Sequence, residues 1–139
     1  MALASSLACA LNLAVTDLPG HVGHVAKLNA ELRAALSTYP LVRINSPDHA
    51  IPHVLNLSVR NVKGTVFQRE LDAKGVCVSV KSPCSSDGLP SRAVFAVSRD
   101  RRNALSSWRI SLSHLTTEEE IKAFLQAFDV CYRELTAVH

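Results

Sequence analysis

Two short stretches alternate apolar and polar residues with a period of two: HVLNLSV (His53 to Val59) and WRISL (Trp108 to Leu112). Only an extended backbone sends successive side chains to opposite faces, so each stretch reads as a strand with one covered face. In the first, Leu55, Leu57 and Val59 oppose Val54, Asn56 and Ser58; in the second, Trp108, Ile110 and Leu112 oppose Arg109 and Ser111. A sheet that is apolar on one face needs a layer to cover it, and helical periods elsewhere in the chain supply one. The strongest follows LTTEEE, where Thr116 or Thr117 is the expected N-cap with a glutamate three residues on. Behind it, Ile121, Phe124, Leu125, Phe128, Cys131, Tyr132 and Leu135 form one apolar stripe.

Further helices are expected from Ala4 to Leu18 and from His21 to Thr38, separated by Pro19-Gly20. Another is expected from Val62 to Lys74, capped by Asn61 and stopped at Gly75, with a short one over Arg92 to Ser98. LVRIN and VCVSV read as two more strands, and RDRRNALSS as a solvated connection. The expected fold is α+β: one domain of 139 residues, with a small mixed sheet of about four strands and helices packed on it.

Apolar residues make up 47% of the chain and charged residues 19%, a globular balance, and a net charge of +3 is too small to argue for nucleic acid. The opening MALASSLACALNLAV lacks the basic start of a signal peptide and is interrupted by Ser5, Ser6 and Asn12. As a helix ending at Leu18 it falls short of the roughly 20 residues that cross a bilayer, so a packed helix and no membrane are expected. The cysteines (Cys9, Cys77, Cys84, Cys131) show no paired spacing. Cys77 and Cys131 sit in apolar patterns that suit core thiols of a reducing, cytoplasmic setting. His21 and His24 form an H-x-x-H without a third ligand nearby, so no metal is expected. Neither a Gly-rich phosphate loop nor a nucleophile elbow is present.

Two residues stand out for chemistry. Cys84 lies in SVKSPCSSDGLPSR, a loop rich in turn residues, with Lys81 and Arg92 nearby to help ionise a thiol. From the residues alone it is either a reactive sulfur or a passive surface cysteine. Arg109, on the polar side of WRISL, is either a rigid fork for a carboxylate or a solvent-facing arginine on an exposed sheet. His53 and His114 read as ordinary partly buried or surface residues rather than bases.

Several motifs resemble, in order, the C-terminal part of cysteine desulfurases, pyridoxal-phosphate enzymes of the class V aminotransferase family. IPHVLNLSV looks like a family strand with its LN.S core, and FQRELDAKGVCVSVKSPCSS is similar to the LD.KGI.VS.GSAC.S run that leads into the catalytic cysteine. WRISLSHLTTEEEI matches IR.SLG..TTEEEI closely. GHVAKLNAELRAAL looks like the helix that joins the family's two domains, so residues 1–38 resemble the interdomain helix region and residues 39–139 the small domain of fold-type I pyridoxal-phosphate enzymes. The resemblance implies that Cys84, on a cysteine loop over residues 80–92, accepts sulfur as a persulfide, and that Arg109 binds the substrate carboxylate. There are departures: Lys81 and Pro83 stand where the family has glycine and alanine, and Ser113 and His114 where it has glycine and a basic residue.

In the family the cofactor is held by a large domain upstream of the cysteine. Lys27, Lys63, Lys74, Lys81 and Lys122 do not sit in the motif of the Schiff-base lysine. The resemblance therefore implies that this chain alone binds no pyridoxal phosphate and does not desulfurate cysteine. The partners it implies are a sulfur-acceptor protein or a separate large domain, with a homo-oligomer through the N-terminal helix as a third. The alternatives are a stand-alone persulfide carrier, a regulatory or docking module of sulfur transfer, and a complementing half-enzyme.

Overall fold

The two alternating stretches lie side by side. In the computed structural model, which describes residues 2–80 and 89–137, Val54–Val59 (β2) pairs antiparallel with Ser107–Ser111 (β3), Leu57 opposite Trp108 and Asn56 opposite Arg109. Val42–Ile44 (β1) pairs antiparallel with the other edge of β2, Arg43 opposite Ser58, giving the order β1-β2-β3. Five helices complete the described chain: α1 (Ala2–Leu36), α2 (Gly64–Ala73), α3 (Arg92–Ser98), α4 (Arg101–Ser106) and α5 (Glu118–Thr136).

The apolar face of the sheet carries the core. Leu55, Leu57, Val59, Trp108, Ile110 and Leu112 are buried against Phe67 and Leu71 of α2, Phe124 and Phe128 of α5, and Val25, Leu28, Leu32 and Leu36 of α1. Trp108 stacks on Phe67 with ring centroids 5.2 Å apart, and Phe128 lies 5.2 Å from Phe67 and 6.1 Å from Trp108. The helix over TTEEE begins as expected. Thr117 accepts from Glu120 N (3.2 Å) while Glu120 Oε2 accepts from Thr117 N (2.8 Å), so two otherwise orphaned donors are satisfied together. Burial pushes the Cys131 thiol on this helix up, which keeps it neutral and inert.

Six local expectations are overturned. Pro19 does not split the first helix; α1 runs unbroken through it. The first half of α1 is exposed throughout, with Leu3, Leu7, Leu11, Leu13, Val15 and Leu18 between 53% and 88% accessible. Its 35 residues also overturn the length argument against a membrane, because by length and composition this helix is long and apolar enough to cross one. Asn61 caps no helix. It takes a left-handed turn (φ 68°), and α2 starts later, after Lys63, which makes no side-chain cap. The reason lies across the fold: a Cβ on Gly64 would sit 2.5 Å from the Ser107 carbonyl oxygen, so the glycine marks where α2 touches β3.

The anticipated fourth strand, VCVSV, makes one bridge, Ser79 with Arg109. Two of its other polar groups turn to α2: Val76 N donates to Leu71 O (3.0 Å) and Val78 O accepts from Gln68 Nε2 (3.0 Å). The described sheet therefore has three strands and is wholly antiparallel. Because Val76, Val78 and Val80 lean inward, Cys77 points out and is exposed, contrary to its reading as a core thiol. Finally, RDRRNALSS is no solvated connection. Asp100 accepts from Arg102 N (2.9 Å) and Asn103 N (3.0 Å) and so caps α4, which buries Asn103, Ala104 and Ser106. The helix over Arg92–Ser98 is where it was expected, and Gly75 takes the left-handed conformation (φ 78°) expected of it.

Candidate functional site

The polar face of the sheet opens into a cleft of about 800 Å³. Its floor is the side of β1, β2 and β3 that carries Arg43, Asn56 and Arg109; Ser79 and Val80 form one edge, Leu89 to Val94 another, and Ser46 and Pro47 a third. Direct partners in an antiparallel pair share a face, so the register that buries Leu57 against Trp108 also sets Arg109 beside Asn56 and Arg43 beside Ser58.

Four polar side chains tie the floor together. Asn45 Nδ2 donates to Asn56 Oδ1 (2.9 Å) and Ser58 Oγ (2.8 Å), Asn103 Nδ2 donates to Asn45 Oδ1 (2.9 Å), and Ser58 Oγ donates to Asn103 O (3.1 Å). Ser58 is only 2% accessible, because α4 covers this end of the sheet. The rim is anchored from α1. Arg33 donates to Pro47 O (3.0 Å) and Asp48 Oδ1 (3.2 Å), and Asn29 Nδ2 donates to Pro52 O (2.9 Å), which clamps the turn between β1 and β2.

Arg109 is the unsatisfied group of the site. Its backbone is fixed by Ser79, whose N donates to Arg109 O (3.1 Å) while Arg109 N donates to Ser79 O (2.7 Å). Its Nε is buried and meets no hydrogen-bond partner among the described residues. A buried donor without an acceptor costs about 1–3 kcal/mol, so Arg109 is held here at some expense to stability. Cys84 and Lys81 lie outside the described residues, but Val80 and Leu89, the described residues that flank that segment, both line the cleft that holds Arg109.

The other candidates lie elsewhere. His21 stacks on His114 (4.1 Å between ring centroids), and His24 Nε2 donates to Thr116 O (2.7 Å), so these three histidines fasten α1 to the turn before α5. His53 lends its carbonyl to Leu112 N (2.8 Å). Of the described lysines, Lys27 is held by Glu118, with the lysine pKa raised and the glutamate's lowered chiefly by their mutual hydrogen bond, and Lys74 pairs with Glu134. No described lysine or cysteine lines the cleft. The described residues thus do not fit a coenzyme that needs an amine to anchor it. Sequence reasoning missed Arg43, Asn45 and Asn103. Arg43 was visible only as the polar middle of LVRIN, and Asn103 was hidden in a segment read as solvent.

Residues 4–124 match the family model described as aminotransferase class-V. The chain is 29% identical over 122 residues to cysteine desulfurase IscS of Clostridium botulinum, covering 84% of this chain and 31% of that protein. It is 31% identical over 106 residues to the mitochondrial cysteine desulfurase of Saccharomyces cerevisiae, covering 75% of this chain and 21% of that one. The X-ray structure of a NifS-like protein from Rickettsia africae superposes with a TM-score of 0.75 at 28% identity, over 86% of this chain and 31% of that one. The chain therefore spans less than a third of the length of each of these three proteins.

Proposed function

This chain belongs to the aminotransferase class-V family, with cysteine desulfurases among its relatives, and we propose that it is the C-terminal small domain of such an enzyme. In this reading Arg109 holds the carboxylate of the amino-acid substrate and Cys84 accepts its sulfur as a persulfide, to be passed to an acceptor protein. Pyridoxal phosphate, on which the family depends, supplies the electron sink when bound. The lysine that anchors it comes from a large domain, either elsewhere in a longer chain or on a separate one, and these 139 residues alone do not turn over cysteine.

The observation that carries the proposal is the placement of Arg109. Its fork, with a buried donor left unpaired, lies in a cleft whose walls include the residues on both sides of the Cys84 segment. A guanidinium that merely faced solvent would have neither feature. The placement of the lysines supports the second half of the reading, since those described are spent on ion pairs or lie away from the cleft. The family match begins at residue 4 and so takes in α1. This favours the exposed half of α1 as a surface that packs on the large domain, or on a second copy in its absence, over a membrane anchor.

The test mixes the chain with pyridoxal phosphate and cysteine, with and without the separately expressed large domain of a desulfurase relative. Sulfide release is expected only in the mixture, and it should vanish in Cys84→Ala. Release by the chain alone, lost in Cys84→Ala, would sink the claim that it needs a second domain. A Cys84 that gains one sulfur in mass spectra after incubation with an active desulfurase, without restored turnover, identifies a persulfide carrier instead.

A further inference from the structure

Three arginines reach the cleft from three elements: Arg43 from β1, Arg92 from α3 and Arg109 from β3. No carboxylate lines the cleft among the described residues, so its described lining carries an excess of positive charge. A single substrate carboxylate uses one of these forks. The register sets the two strand forks apart. Arg109 is opposite Asn56 and Arg43 opposite Ser58, which sets the two arginines on one face, a whole strand between them and two residues out of step. At ~4.8 Å per strand and ~3.3 Å per residue their Cα atoms stand about 12 Å apart. Two acid groups joined by a short chain span that interval once both side chains lean inward.

Nothing on the cleft floor competes for these forks. Asn45, Asn56, Ser58 and Asn103 bond one another. Arg43 has a loose ion pair with Asp100 at 3.8 Å, both side chains about half exposed, and Asp100 is already engaged as the cap of α4. Such a pair is worth little and exchanges readily for a better-placed acid. We propose that the cleft also takes a ligand with two carboxylates, an acidic amino acid that competes with the sulfur donor for Arg109. Arg109 takes one carboxylate, and Arg43 with Arg92 takes the other. The first contact rests on the reading of Arg109 given above; the second is independent of it.

Titration of the full 139-residue chain with glutarate and with butyrate tests this, following the arginine Nε–H signals by NMR at low salt. Glutarate is expected to bind about ten-fold more tightly than butyrate. Arg43→Gln and Arg92→Gln each reduce that preference, and the double variant abolishes it while leaving butyrate affinity unchanged. Both positions are exposed, and an unchanged near-ultraviolet signal from Trp108 confirms that the core is intact. Equal affinities for the two acids, no binding of either, or a preference that survives in the double variant overturns the proposal. Arg109→Lys is expected to weaken both acids together. If it weakens neither while the preference still depends on Arg43 and Arg92, the reading of Arg109 fails and the second carboxylate site stands.

Discussion

The same three strands present two faces that have been put to opposite uses. On one, Leu55, Leu57, Trp108 and Ile110 are sealed beneath α1, α2 and α5. On the other, residues one step along in sequence, Asn56 and Arg109, floor an open cleft, and the network they border is closed only at one end by α4. The sealed face tolerates no gap, because every side chain there is held by dispersion and exclusion of water. Each face leaves one buried donor without a partner among the described residues, Trp108 Nε1 in the core and Arg109 Nε under the cleft, and only the second belongs to a charged side chain that lines the cleft. On the proposed reading the pleat of the strand separates stability from recognition, and the two should be separable by mutation.

The largest expected effect is Trp108→Ala, which empties the centre of the aromatic cluster and should cost about 3–5 kcal/mol in urea unfolding. Next is Asn103→Ala. It strips Asn45 of a donor at the covered end of the open face, and about 1–3 kcal/mol is expected from the same measurement. A loss as large as that of Trp108→Ala would mean that the polar face is a second core. Thr117→Ala removes the cap of α5 and should cost about 1 kcal/mol, with no effect on carboxylate binding. The smallest loss of stability is expected for Arg109→Gln: none, and a gain of up to about 1–3 kcal/mol, because it removes a buried donor that has no described partner. Titration with butyrate should nonetheless show its binding lost. An Arg109→Gln chain that unfolds early and binds normally would erase the distinction between the faces.

The exposed half of α1 repeats the lesson in another form. Residues 21–36 bury Val25, Leu28, Leu32 and Leu36 in the core, whereas residues 2–20 of the same unbroken helix touch none of it. Pro19 looked like the boundary between two helices. It marks instead the point near which one helix leaves the domain.

Much of this was legible in the residues alone. The alternation of HVLNLSV and WRISL established which side chains enter the core, the TTEEE run established how α5 begins, and the family motifs singled out Arg109. These features are local, written in a period or a cap that one segment displays without its neighbours. Tertiary structure decided the rest: that Gly64 stands where β3 comes too close for a Cβ, and that of VCVSV only Ser79 pairs with a strand while Val78 gives its carbonyl to Gln68. It also decided that Arg43, Arg92 and Arg109, far apart in the chain, face one cleft. The physical reason is that hydrogen-bond partners, close approaches and shared walls are properties of pairs of segments, and a pattern within one segment carries no record of what will lie across from it.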